Sequence, residues 1–328
     1  MIITRAPLRI SFFGGGTDFP EYFSREPGAV LATAIDKYSY VTASHFYSRL
    51  FSYSVRVSYS RGEIVKTVDE LQHPVFRACL QYCGLTQDIE LHTVADLPSF
   101  AGLGSSSSFT VALLNALHAF RGQYASPLTL AYEAIHIERQ ILKESVGCQD
   151  QTTAAVGGFN VLEFRAEDDI RVLPLGLGQG RIHELENHLV LVYTGVTRRA
   201  SEIEARKLQK VDHNRPALRT LRRMVDEGAE ILAKGGSLEP FGRLLDQAWQ
   251  AKRSLDAVVT NDRIEEMYQK GLRAGAWGGK LLGAGGGGFL LFCAPPEAHA
   301  RLMAAFPEEA RVPVRLNADR ARVIHDNQ

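Results

Sequence analysis

Three glycine-rich clusters hold the residues of this 328-residue chain whose types and spacing could do chemistry. Gly102-Leu103-Gly104-Ser105-Ser106-Ser107-Ser108 joins a strand-like stretch to an apolar, helical one. Glycines let a backbone wrap closely round a ligand, and a following helix N-terminus offers free N–H groups and a positive dipole end. Together these suit a phosphate, and the hydroxyls can bind phosphate oxygens or Mg²⁺. It is not a Walker A loop, because no Gly-Lys-Ser/Thr follows at the required spacing. The second cluster, KLLGAGGGGF from Lys280 to Phe289, satisfies GxGxxG through Gly283, Gly285 and Gly288. A dinucleotide fingerprint opens a helix after its glycines, whereas FLLFC reads as a strand, so NAD binding is set aside. A tight loop packed against another loop or a substrate fits better, with Gly285 and Gly286 at its centre. The third cluster runs from Pro7 through Gly14, Gly15, Gly16 and Thr17 to Asp18. Asp18 suits either acceptance of sugar-hydroxyl hydrogen bonds or the capping of the segment PEYFS.

The elements that must position these clusters are legible in outline. The first sixty residues alternate and are rich in β-branched and aromatic types, which predicts a largely antiparallel sheet. A helix is expected near 74–83, a strand over 89–97, and an apolar helix carrying Val111, Leu114, Leu117 and Phe120, stopped by Gly122. Ser126-Pro127 starts a further helix running to about Lys143 and ending in the turn ESVGCQDQ. Strands are expected at FNVLEF, RVLPL and HLVLVYTG, charged helices from about 198, helices headed by Ser237 and Asp262, and a final strand VPVRL. Strands and helices mix in both halves, giving two α+β layers that meet near residue 180.

Composition narrows the function classes. Hydrophobic residues make up 45% and charged residues 23%, which excludes a disordered chain or a small disulfide scaffold. The 37 basic and 37 acidic residues balance, so no cationic surplus exists to drive nucleic-acid binding. Neither a signal peptide nor a membrane helix is evident, and the expectation is a cytoplasmic protein. The four cysteines lack zinc spacing and read as reduced core residues.

Taken together, the clusters resemble the GHMP kinase superfamily, named for galactokinase, homoserine kinase, mevalonate kinase and phosphomevalonate kinase. The first-strand glycines resemble its substrate motif, Pro98 to Ser106 its PxxxGLGSS phosphate loop, and Lys280 to Gly288 its KxxGAGGGG loop. The order matches, over almost the whole chain. RAPLRISFFGGGTD, GLGSSSSF, SVGCQDQ and YTGVTRRASEI look most like segments of the branch containing heptose 7-phosphate kinases and fucokinase-like proteins. Galactokinases carry Glu and His where Gly15 and Gly16 stand, so galactose is disfavoured and a bulkier sugar is admitted.

The resemblance implies an α+β, two-domain GHMP kinase fold: a ribosomal S5 domain 2-like N-terminal domain over 1–180 and a ferredoxin-like C-terminal domain over 181–328. It implies ATP and Mg²⁺ as cofactors and transfer of the γ-phosphoryl group to a substrate hydroxyl. Asp150 in SVGCQDQ would be the base, Arg9 the cation beside it, and Glu138 and Ser106 the Mg²⁺ ligands. Gly102 to Ser108 would hold the ATP phosphates. Gly15, Gly16, Thr17, Asp18, Gly285 and Gly286 would line the substrate, with Arg198 or Lys280 holding a phosphate already on it. The substrate implied is D-glycero-D-manno-heptose 7-phosphate, converted at its anomeric hydroxyl to the 1,7-bisphosphate for GDP-heptose and surface polysaccharide. Alternatives are a kinase of a free sugar such as fucose or mannose, and a non-catalytic sugar and ATP sensor. No nucleic-acid or membrane partner is expected, and a homodimer is compatible with the chain.

Overall fold

A computed structural model describes residues 1–98, 102–196, 200–307 and 310–327. Two long strands organise it: β1 (Ile2–Phe13) and β2 (Gly28–His45), joined through the short helix α1 (Pro20–Phe23). They pair antiparallel from Ile2 opposite Ala43 to Phe13 opposite Leu31. At 18 residues β2 is long enough for two further partners on its other edge. Its C-terminal half takes β5 (Ile89–Ala95), and its N-terminal half takes β6 (Phe159–Ala166), itself paired with β7 (Asp169–Pro174). β3 (Val55–Ser58) lies parallel to β5 and antiparallel to β4 (Gly62–Val65).

Helices α2 (Pro74–Tyr82), α3 (Ser105–Phe120), α4 (Pro127–His136) and α5 (Gln149–Val156) cover this sheet. Val111, Leu114 and Leu117 of α3 are fully buried as the spacing predicts, and Gly122 follows in a left-handed conformation. Ser126 caps α4, its hydroxyl accepting from the Thr129 N–H at 3.1 Å. The helix expected to reach Lys143 ends as α-helix at His136 and continues as one π-turn over Ile137–Ile141. The expected turn ESVGCQDQ ends in helix, because Gln149 opens α5.

The second half contains α6 (Gln179–Glu186), β8 (Leu189–Tyr193), α7 (Ala200–Leu208), α8 (Val211–Lys234), α9 (Glu239–Arg253), α10 (Asp262–Arg273), β9 (Gly278–Leu281), β10 (Phe289–Cys293), α11 (His299–Ala305) and β11 (Arg322–Asp326). Strands β8, β10 and β9 form a three-stranded antiparallel sheet. Two expectations need correction. The cap of α10 is Asn261, whose side chain accepts from the Ile264 N–H, while Asp262 sits inside the first turn. The segment VPVRL is no strand beyond one bridge at Leu316; the chain runs on to β11, which pairs with β1. Phe241 of α9 meets Phe12 and Phe13 of β1 at ring centroid distances of 5.4 and 5.3 Å, so the halves share one core. No described helix is long and apolar enough to cross a membrane.

Candidate active site

The buried guanidinium of Arg9, carried on β1, is the hub of the site. Its Nε and Nη2 donate to the two carboxylate oxygens of Asp150 at 2.7 and 2.8 Å, a bidentate fork, and its Nη1 donates to the Gly102 carbonyl at 2.7 Å. The Arg9 N–H also donates to the Leu103 carbonyl at 3.0 Å. One residue therefore fixes both the phosphate loop and the carboxylate in the first turn of α5. Asp150 keeps its side chain 26% exposed, so the pair faces a cleft. Gly104, left-handed at φ 73°, lies against both partners, and a Cβ there would stand 3.3 Å from Arg9 Cγ and Asp150 Cγ. The loop ends in α3, and the first-turn N–H groups of a helix are free to bind an anion.

The serines divide their work. Ser106 is exposed at the mouth of α3, Ser105 is buried, and Ser108 donates to the Ala6 carbonyl at 2.7 Å. Ser107, not Ser106, touches Glu138, donating to Oε2 at 2.8 Å, and Gln151 Nε2 donates to the same oxygen at 2.5 Å. The π-turn after α4 delivers Glu138 to this buried position, a distortion found often at functional sites. Desolvation pushes the Glu138 carboxyl up to about 7, against the lowering influence of the nearby Thr110 and of the bonds from Ser107 and Gln151. Its Oε1 is buried with no hydrogen-bond partner.

Beside this lies the substrate motif. Asp18 is buried, with Oδ1 accepting from the Gly16 N–H at 3.0 Å and Oδ2 from the Gln149 N–H at 3.2 Å. Burial, helped by the charge of Asp150, raises its carboxyl to about 6. Thr17 closes the turn, its hydroxyl donating to Gly14 and Ala29 carbonyls at 2.8 and 2.9 Å. Room exists beside Gly15, where a Cβ would meet only Gln149 Nε2, at 3.9 Å. It does not exist beside Gly16, where Leu218 Cδ2 would lie at 2.9 Å.

The C-terminal glycine loop backs the phosphate loop. A Cβ on Gly283 would stand 2.5 Å from Gly102 Cα, so the two loops touch backbone to backbone. Gly286 donates to the Val259 carbonyl at 2.9 Å, and a Cβ on Gly285 would strike Val259 as well. Lys280, expected at a substrate phosphate, is buried with its ammonium donating to the Ser11 and Phe12 carbonyls at 3.0 and 2.6 Å. Arg198 lies outside the described residues. Sequence reasoning missed Gln151 and Lys252. Gln151 stands next to Asp150 in the same motif, whereas Lys252, buried and donating to the Leu281 and Gly283 carbonyls, left no signal on the polar-looking α9.

A glycine loop on a helix N-terminus, with a carboxylate held beside it, is an arrangement that suits phosphoryl transfer to a hydroxyl. The description GHMP kinases N terminal domain matches residues 64–158, and GHMP kinases C terminal matches residues 220–310. The chain belongs to the GHMP kinase family, whose members use ATP as phosphate donor. It is 29% identical over 324 residues to D-glycero-alpha-D-manno-heptose 7-phosphate kinase of Campylobacter jejuni, covering 94% of both chains. It is 27% identical over 348 residues to L-fucokinase/L-fucose-1-P guanylyltransferase of Bacteroides fragilis, covering 94% of this chain and 36% of that one. The crystal structure of a D-glycero-D-manno-heptose 1-phosphate kinase from Bacteroides thetaiotaomicron superposes with a TM-score of 0.81 at 24% identity, over 100% of both chains, and has the same fold.

Proposed function

We propose that the chain is a Mg²⁺-requiring, ATP-dependent kinase that phosphorylates the anomeric hydroxyl of D-glycero-D-manno-heptose 7-phosphate, giving the 1,7-bisphosphate. The observation that carries the chemistry is the Arg9 fork, which ties the Asp150 carboxylate to the phosphate loop. The relative matched over 94% of both chains and the room beside Gly15 support the sugar. We divide the chain near residue 180, with β11 returning to the first sheet.

In this reading Asp150 accepts the proton of the attacking hydroxyl, and Arg9 keeps both carboxylate oxygens oriented as it does so. The N–H groups of Gly104 to Ser107 face the transferring phosphoryl group, where negative charge spreads over its oxygens. Glu138 and Ser106 fit Mg²⁺: the donors are all oxygen, and Glu138 Oε1 is buried without a partner. One protein carboxylate suffices, since Mg²⁺ commonly completes its octahedron with nucleotide phosphates and water. When bound, the ion would supply charge neutralisation at the phosphates.

The test is ATP turnover against a panel of sugars and sugar phosphates, with product regiochemistry by phosphorus NMR. The heptose 7-phosphate should exceed the matching unphosphorylated hexose in kcat/KM by at least ~100-fold, within reach of one or two charge-assisted hydrogen bonds. Arg198→Ala should remove much of that preference. Equal efficiency on both substrates would promote the free-sugar kinase, which the fucokinase relative favours.

A further inference from the structure

The side chain of Gln149 has no task inside the protein. Its backbone N–H is used, donating to Asp18 Oδ2 at 3.2 Å. Its side-chain carbonyl, Oε1, is buried without a hydrogen-bond partner, although the residue is only 9% exposed. Buried polar groups are satisfied in the great majority of cases, so an orphaned acceptor at an active site calls for a donor from outside. The amide also borders the free space of the substrate motif, since Gln149 Nε2 is the one described neighbour that a Cβ on Gly15 would reach within 4 Å. Asp150, the base, is the next residue in the first turn of α5. Asp18 does not compete for this task. Both of its oxygens already accept backbone N–H groups, and the residue is buried.

We infer that Gln149 is a specificity-determining residue whose Oε1 accepts a hydrogen bond from a hydroxyl of the acceptor sugar, one other than the hydroxyl that is phosphorylated. This rests on the sugar-kinase reading but not on which sugar is used. The chemistry that would recognise the group is a polyol O–H entering the space beside Gly15. A glutamine there reads the position of a hydroxyl without adding a charge next to Asp18 and Asp150.

The experiment is a double-mutant cycle on kcat/KM. Wild type and Gln149→Met are compared on the best sugar substrate and on its monodeoxy analogues, one for each non-transferring hydroxyl. For one analogue the wild type should lose about 10- to 100-fold, the worth of one hydrogen bond whose partner is left buried. Gln149→Met should lose a similar factor on the parent sugar and almost nothing further on that analogue. A residue that only supports the fold would lower all substrates alike and keep the deoxy penalty. Gln149→Ala, which also removes the acceptor, should abolish the same deoxy penalty, and it carries the test if the methionine variant does not fold. Turnover of sugars with additive losses at every position overturns the assignment of Gln149 alone. Turnover of no sugar at all overturns the sugar-kinase reading and this inference with it.

Discussion

Arg9 and Lys280 are both cations on strands, close enough that the charge of Arg9 helps to depress Lys280, yet the regions around them behave differently. On the cleft side, Arg9 is matched by a carboxylate that stays partly open to solvent, and it also holds the Gly102 carbonyl of the glycine loop. Behind the glycine loops, Lys280 and Lys252 form no ion pair with a carboxylate among the described residues. The Lys280 ammonium donates to carbonyls of β1, joining the two halves of the chain, while that of Lys252 donates to a carbonyl at the end of β9 within its own half. A planar fork suits a carboxylate with two oxygens, while a compact ammonium with three donors suits carbonyls arriving from several directions. The same charge therefore orients a carboxylate in one region and holds backbone carbonyls together in the other.

The largest break should come on the cleft side. Asp150→Asn is expected to lower kcat by about 10²–10⁴-fold with little change in ATP affinity, because the amide cannot take the hydroxyl proton while its size is kept. Single-turnover kinetics with separate nucleotide binding checks this, and activity within a few-fold of wild type would remove Asp150 from the role of base.

Next in size is the contact between the regions. Gly283→Ala adds a Cβ that would stand 2.5 Å from Gly102 Cα, at a residue with φ +71°, so the phosphate loop must shift. A stability loss of about 1–3 kcal/mol and a raised KM for ATP are expected. Gly62→Ala, where a Cβ meets nothing within 4 Å, should stay within about 0.5 kcal/mol. Similar melting curves for the two variants would mean that the loops do not support each other.

Smaller effects should separate the serines. Glu138→Ala and Ser106→Ala should both raise the half-saturating Mg²⁺ concentration, by up to about 10-fold, each removing one oxygen ligand. Titration of activity against Mg²⁺ at fixed ATP checks both. If Ser106→Ala changes nothing, Ser107, which already touches Glu138, is the hydroxyl that matters.

These differences mark what the chain shows before it folds. The glycine loop before α3 was legible because its pattern is local: glycines, then an apolar helix. Arg9 and Asp150 are 141 positions apart, and only family resemblance joined them. The π-turn under Glu138 and the first turn of α5 were not legible, because both replace an α-helical or turn pattern by tertiary packing. Asp262 fitted the capping box as well as a true cap, but the neighbouring Asn261 supplied the oxygen. Lys280 misled most, because a lysine beside a glycine loop has one appearance in sequence whether it faces a phosphate or two carbonyls.

The smallest predicted effect tests that last distinction. Burial, assisted by Arg9 and Lys207, lowers Lys280 from its usual 10.5 to about 7. Between these values the unfolded chain holds a proton on Lys280 that the folded chain has released. The unfolded state then binds more protons, and this residue makes stability rise with pH, by up to about 1.4 kcal/mol per pH unit. Below about 7 both states are charged, and the full cost of burying the ammonium is present. Lys252, also depressed by burial, adds a slope of the same sign. The buried thiols of Cys83, Cys148 and Cys293, raised from 9.0, act oppositely above that pH, and Glu138, raised to about 7, acts oppositely around and below 7; both are shared with a Lys280 variant, so the difference between the two proteins is read over pH 7 to 8.5. Urea unfolding of wild type and Lys280→Met across this window should show the variant with the shallower rise, losing ground to wild type as pH increases. Parallel stability curves would mean that Lys280 stays charged in the fold, with its ammonium open to an anion from the cleft after all.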